Sequence, residues 1–342
     1  MQIFNLVKLD INLQSPCFSI LFEYMNYGSE MRADEFKTWL QMYVDCFASL
    51  VTPTISLKRL LSVISVEQYA ILLSRWSSLS TSLKGVGYLR CLNVILTEFK
   101  GGRIQHLIDS YLENRRIIRK NLYKIVNIVV PYCSNGDTLE IIASLNITTD
   151  LLLSNPGRLR KPDILVIILG SLTTTYKTTT VFKHVSTLLI TLLKYHREHV
   201  GSVMHLIVSL LQDWMPIILV NKSKSINDAS HFSRILETLS HKPANEDTDV
   251  LVDFSMRPFA KHLVHLVAQF ILFNPSANIE KTLVIKDGIY VLLDILNDHE
   301  RKYLLDHIGY TKKNKIGRDM ARQLVKELYI TWNKTHKFTG KV

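Results

Sequence analysis

Five cations fall within ten residues at Arg115, Arg116, Arg119, Lys120 and Lys124. Guanidinium and ammonium groups at this density can make charge-assisted hydrogen bonds to phosphates or carboxylates. On a helix, positions 116, 120 and 124 follow one i, i+4 line with 115 and 119 beside it, while Ile117, Ile118, Leu122, Ile125 and Val126 take the opposite side. A solvated face accounts for part of this pattern. Five cations in ten residues exceed what solubility needs, so the cluster is a candidate for contact with phosphate or an acidic protein. Arg158, Arg160 and Lys161 form a smaller basic loop beside Gly157. A second concentration lies near the C-terminus. From His299 onward there are 11 Lys and Arg against 4 Asp and Glu, a net of +7 in a chain whose total is +11. Lys312, Lys313 and Lys315 make a basic turn that also fits a weak nuclear-import patch, and Arg318 and Arg322 continue it. Charge this local points to a surface with an acidic partner. Aromatic residues do not alternate with these cations, so backbone contact is expected rather than base-specific reading.

The remaining chemistry-bearing residues predict little catalysis. There is no GxxxxGK[ST] phosphate loop, no GxGxxG after a strand and no GxSxG elbow. His196 and His199 are spaced i, i+3, as are His262 and His265, but a zinc site would need further ligands at tight spacing. Solvated or hydrogen-bonded helix histidines are the expectation. Asp247, Asp249 and Asp253 lack the glycine and closing glutamate of a calcium loop and read as an exposed acidic loop. Asp294 and Asp298 read as helix-end carboxylates near Arg301 and Lys302. Cys17, Cys46, Cys91 and Cys133 are too dispersed for a metal knuckle or a CxxC pair and read as reduced core thiols. No enzyme, cofactor, metal or small-molecule substrate is expected; a site assembled from distant helices is the one enzymatic route left open.

The elements that must carry these residues are helical. The 342 residues are 47% hydrophobic with 13 Gly and 9 Pro, enough for a large core. Helical stripes recur at Phe36, Leu40, Tyr43, Phe47 and Leu50; at Tyr69, Leu72, Leu73 and Trp76; and through Tyr88 to Phe99. A long helix over 104–130 is expected to end at Pro131. Val181, Val185, Leu188, Leu189 and Leu192 give another, and Val203 to Leu211 a further one that Pro216 should break. Phe232, Ile235, Leu236 and Leu239, then Phe259, Leu263, Leu266, Val267 and Phe270, mark two more. Ile164 to Leu169 is read as a buried helix and Thr173 to Val181 as a Thr-rich turn, although their β-branched residues would suit strands. Turn-forming residues cluster at 134–137, 155–157, 221–228, 243–249 and 274–278. A dozen amphipathic helices with short loops and no fixed repeat predict an all-α fold, an irregular armadillo- or HEAT-like superhelix (an α-solenoid). Residues 1–220 are assigned to a helical-repeat array and 221–342 to a C-terminal helical region continuous with it. Lys8 and Asp10 interrupt the apolar N-terminus, so no secretory signal is expected. Val203 to Val220, with His205, Gln212, Asp213 and Pro216, is expected to fall short of a membrane span.

Residues 286–342 carry the strongest specific signal. Ile289, Leu292, Leu293 and Leu296 form one stripe; Ile316, Met320, Leu324 and Leu328 form a second, with Lys315, Arg318, Arg322 and Lys326 on another face. The order runs from Asp287, Gly288, Ile289 and Tyr290 as a helix start, through Leu292 to Asp294, to a terminal Lys337, Phe338, Thr339, Gly340, Lys341 and Val342. This resembles the C-terminal region of the unhealthy ribosome biogenesis protein 2 family. That family is much longer and usually has a tyrosine where this chain has Trp332. The resemblance implies a non-catalytic nucleolar scaffold in early large-subunit (pre-60S) assembly and pre-rRNA processing. The implied partners are early assembly factors, including a large sister scaffold and a DEAD-box RNA helicase, with pre-rRNA contacted directly or through them. A helical-repeat adaptor unrelated to ribosome assembly, such as a trafficking or cytoskeletal scaffold, is the alternative.

Overall fold

The computed structural model describes residues 34–38, 40–41, 57–58, 60–61, 64–78, 85–97, 107–154, 162–175, 179–221, 223–240, 259–273, 278–307 and 315–336. Among them every regular element is helical and no strand occurs. In chain order the helices are α1 (Val66–Ser78), α2 (Val86–Thr97), α3 (Leu107–Asn135), α4 (Thr138–Ser154), α5 (Pro162–Thr175), α6 (Thr179–Tyr195), α7 (Arg197–Val200), α8 (Met204–Val220), α9 (Ile226–Ser240), α10 (Ala260–Phe273), α11 (Ile279–Ile295), α12 (Asp298–His307) and α13 (Lys315–His336). The chain divides into two compact units, Met1–Leu151 and Leu152–Val342. The Asn221–Asp228 connection lies inside the second.

Helix starts follow local hydrogen-bonding chemistry. A Ser, Asp or Asn side chain accepts from the first free backbone N–H groups, and an acid or amide three residues on can return the bond. Gln68 N–H donates to Ser65 Oγ at 3.3 Å and Ser65 N–H to Gln68 Oε1 at 3.0 Å, opening α1. Asp137 and Glu140 do the same for α4 at 2.8 and 3.0 Å, and Ser225 and Asp228 for α9 at 3.2 and 3.0 Å. Asn297 and Glu300 open α12, and Asn278 Oδ1 caps α11.

In the first unit α1 packs on α3. Tyr69, Leu72, Leu73 and Trp76 are buried as the stripe requires, together with Tyr88, Leu89, Leu92 and Ile95 of α2. The Tyr69 hydroxyl donates to the Ile95 carbonyl at 3.0 Å, so burial of this polar tip is compensated. In the second unit α9 packs most extensively against α11; α8 lies against α5 and α10, and α6 against α9. Every stripe residue named for α6 and α9 is buried, as are Leu263, Leu266, Val267 and Phe270 of α10 and Ile289, Leu292, Leu293 and Leu296 at the end of α11. Ile164 to Leu169 is helical, within α5. The Thr-rich segment is not simply a turn: α5 runs through Thr175 and α6 begins at Thr179, leaving 176–178 outside the described residues.

Both prolines expected to end helices sit inside them, Pro131 in α3 and Pro216 in α8. An internal proline removes the N–H that would bond the carbonyl four residues back. At Pro216 that carbonyl belongs to Gln212, and Nε2 of Gln269 on α10 donates to it at 2.8 Å. At Pro131 the corresponding residue, Asn127, is exposed, where water can bond its carbonyl. Because Pro216 does not break α8, residues 201–220 are long and apolar enough to cross a membrane, contrary to expectation. More than half of that segment is buried, and His205, Ser209 and Asp213 form an exposed polar stripe at i, i+4 spacing. This is how a core helix of a bundle is built. Gln269→Met should leave the Gln212 carbonyl unbonded and cost about 1–3 kcal/mol. Adding Pro216→Ala restores a backbone donor to that carbonyl, so in a thermal-unfolding double-mutant cycle Gln269→Met should cost less in the Pro216→Ala background than in the parent.

Gly288 is also placed differently from the sequence reading. It is not at a helix start but inside α11, ten residues in. A Cβ at this position would stand 2.9 Å from both Leu236 Cβ and the Ser233 carbonyl oxygen of α9. Glycine is there because α9 and α11 approach so closely.

Candidate functional site

The first basic cluster lies on α3. Arg116, Lys120 and Lys124 are exposed along one line, Arg115 and Arg119 are half-buried beside it, and Ile118, Leu122, Ile125 and Val126 are buried opposite. Ile117 is half-buried. The C-terminal cluster is placed less completely. Lys312 and Lys313 lie outside the described residues, as do Arg158, Arg160, Lys161, the acidic loop 247–253 and the tail 337–342. Lys315, Arg318 and Arg322 belong to α13, whose side chains are described only in its later turns; there Lys326 and Lys334 are exposed. Val325 and Leu328 are its buried residues; Val325 was not foreseen, and the side chains of Ile316, Met320 and Leu324 lie outside the described set.

An aromatic and charged cluster binds α13 to the α11–α12 corner. The Trp332 indole N–H donates to Asp294 Oδ1 at 2.9 Å. The Arg301 guanidinium lies 4.8 Å from the centroid of the Trp332 ring, donates to the Leu293 carbonyl at 3.0 Å, and reaches Asp298 at 3.5 Å. Arg301 thus pairs with Asp298 as its spacing suggests. Asp294, read as a helix-end carboxylate, accepts from α13. Tyr329 packs edge-on to Trp332 at 6.2 Å; burial pushes its phenol up to about 12, with Arg301 pulling the other way.

Of the candidate histidines, His196 and His265 make structural contacts. His196 is not on a helix shared with His199: it occupies the break between α6 and α7. It is fully buried, and its Nε2 lies 3.0 Å from the Leu152 carbonyl. Arg197 next to it donates to the Leu239 carbonyl at 2.6 Å, placing a cation at the C-terminal end of α9. His265 meets the Tyr303 ring edge-on at 6.3 Å. Among the described residues no three His, Cys, Asp or Glu side chains gather as a metal site would require. Cys91 and Cys133 are buried and unbridged, and burial pushes the Cys91 thiol up to about 12, far from a reactive thiolate.

His196 is held below the ordinary imidazole value chiefly by burial. His184 and His231 are lowered too, again mainly by burial and then by neighbouring cations. The folded state therefore holds fewer protons than the unfolded chain between those lowered values and about 6.5. Their stabilising contribution is complete above about pH 6.5 and is lost as pH falls through the folded-state values. Melting temperature should drop on acidification from neutral pH towards pH 5, and His196→Gln, which keeps a donor for Leu152, should flatten that dependence.

Sequence reasoning missed two polar groupings. Lys224, Asp228 and Lys281 are buried together; Lys281 Nζ donates to the Asn221 carbonyl at 2.8 Å, closing the end of α8. The second is a basic face across α6 and α9, with Lys183 and Arg234 exposed and His184 and His231 half-buried. Two residues per helix are too sparse to stand out along the chain. The available signal was compositional: α6 contains no Asp or Glu.

Comparisons with curated proteins and with solved structures gave no match. A family model matches residues 131–341, which takes in α6, α9 and α13 but not Arg115–Lys124. That match spans more than half of the 342 residues, and the chain belongs to the Urb2/Npa2 family, a family of ribosome biogenesis factors.

Proposed function

We propose that this protein is a non-catalytic nucleolar scaffold of early large-subunit assembly, in which stacked helices form an irregular armadillo- or HEAT-like superhelix. The observation that carries this reading is the family match over residues 131–341. The helices support it by their construction: apolar stripes are spent on packing, and Arg116, Lys120, Lys124, Lys183, Arg234, Lys326 and Lys334 are left exposed. An extended helical array offers surface to several proteins at once. Its partners are early pre-60S factors, among them a large sister scaffold and a DEAD-box RNA helicase. Arg115, Arg116, Arg119, Lys120 and Lys124, with Lys312, Lys313, Lys315, Arg318 and Arg322, lie against pre-rRNA phosphates or acidic partner surfaces.

Affinity capture of the tagged protein from cells, with RNA and protein sequencing, tests this. Enrichment of large-subunit pre-rRNA together with early assembly factors is the expected result. Exclusion of the protein from the nucleus, or capture of cytoplasmic complexes without pre-rRNA, would overturn it.

A further inference from the structure

The basic face of α6 and α9 is built across two packed helices. The two helices pack on each other, and Val181, Val185, Leu188, Leu189 and Leu192 of one and Phe232, Ile235, Leu236 and Leu239 of the other are all buried. That packing fixes what points outward. Among the described side chains of α6, Thr180, Lys183, Thr187, Lys194 and the terminal Tyr195 are exposed, and the whole helix contains no carboxylate. On α9 Arg234 is exposed and His231 half-buried. The two acids of α9 are engaged elsewhere: Asp228 is buried and accepts from the Ser225 N–H at 3.0 Å, and Glu237 accepts from Ser233 Oγ at 3.1 Å.

The cations are close enough to affect one another. Beyond the effect of burial, Arg234 and then Lys183 disfavour the protonated form of His231 while the buried Asp228 carboxylate partly offsets them, and Lys183 disfavours protonated His184. Gathering like charges across two helices costs stability unless an anion compensates them. The exposed large apolar side chains of these helices, Tyr195 and Ile226, sit at their ends. The ridge between them therefore lacks the apolar anchor on which a protein interface centres. The exposed guanidinium of Arg234 and ammonium groups of Lys183 and Lys194 suit the oxygens of a phosphate backbone.

We infer that the α6–α9 ridge, centred on Lys183 and Arg234, binds the phosphodiester backbone of RNA. The inference deepens the assembly-scaffold reading and rests on it for the biological source of the RNA, not for the contact itself.

The test uses the full chain and a fluorescently labelled single-stranded RNA of mixed sequence, followed by anisotropy across a potassium chloride series. The ridge variant is Lys183→Glu with Arg234→Glu. The control is Lys261→Glu with Lys302→Glu, the same charge change at exposed positions of α10 and α12. The ridge variant should lose about tenfold or more in affinity, and its log–log salt slope should fall by about 0.7 for each phosphate contact removed. Lys183→Gln with Arg234→Gln should lose less, and circular dichroism should show native helicity in all variants. Equal losses in ridge and control variants would reduce the effect to net charge and overturn the inference. So would the absence of RNA binding by the unmodified protein at low salt, or displacement of RNA by polyglutamate at equal charge concentration. Capture of pre-rRNA particles reads the scaffold function separately: RNA binding that needs the ridge, without particle capture, sinks the scaffold reading and leaves the ridge standing.

Discussion

Gly288→Ala should destabilise the second unit, although alanine is the better helix former by about 1 kcal/mol. Propensity and packing oppose each other here, so the sign decides which governs. The residue lies in the interior of α11, and its N–H is 3.2 Å from Ser233 Oγ. A methyl group would meet the Ser233 carbonyl oxygen at 2.9 Å, the Ser233 hydroxyl at 3.1 Å and Leu236 Cβ at 2.9 Å. Two of these are backbone or the root of a side chain, which no rotamer change can move. The helices must separate, and they form the most extensive helix pair in the unit. Separation loosens Phe232, Leu236, Ile289 and Leu292, all fully buried. Overpacking of this kind costs about 1–3 kcal/mol, and Gly288→Val should cost more. Urea unfolding followed by circular dichroism measures it. A Gly288→Ala protein as stable as the parent, or more stable, would mean that α9 and α11 do not meet so closely.

Gly288 also marks the boundary between what the sequence discloses and what only the fold does. Stripes such as Tyr69, Leu72, Leu73 and Trp76 were legible because burial on one helix face repeats along the chain, where it can be read directly. The capping pairs act over three residues and so lie within reach of the same local rules, although the sequence reading named none of them. Gly288 and Pro216 were misread because each answers to a partner far away: Ser233 for the glycine, Gln269 for the proline. Local rules assign glycine to helix ends and proline to breaks. They do not register a neighbouring helix that needs the space or supplies the missing donor. The same limit governs the candidate surfaces. Arg115 to Lys124 stands out because its five cations are contiguous in one helix. Lys183 and Arg234 are separated by a short helix and all of α8, and only the packing of α6 on α9 makes them one face. The bond from Trp332 to Asp294 spans 38 residues, and no local rule reaches it.

Leu293→Ala should produce a loss of about 2–5 kcal/mol, the range for emptying a fully buried leucine site. Leu293 has no exposed surface, and its backbone carbonyl accepts from Arg301. Arg301 in turn lies over Trp332, so the residue sits where the core of α11 meets the attachment of α13. Leu328, 6% exposed on α13, should cost less when truncated because its site is open to water on one side and can collapse more readily. Trp332→Phe provides the contrast. It removes the N–H bonded to Asp294 but keeps a ring under Arg301, so the net loss should be about 1 kcal/mol. Its effect should be confined to α13. Thermal melts combined with limited proteolysis separate the cases. Leu293→Ala should lower the melting temperature of the second unit and open sites throughout it, whereas Trp332→Phe should leave that melt nearly unchanged and speed cleavage only within 315–336. Unchanged melting and cleavage in Leu293→Ala would refute its place in the core. Cleavage spread across the unit in Trp332→Phe would show that the basic helix is part of the cooperative core rather than latched onto it.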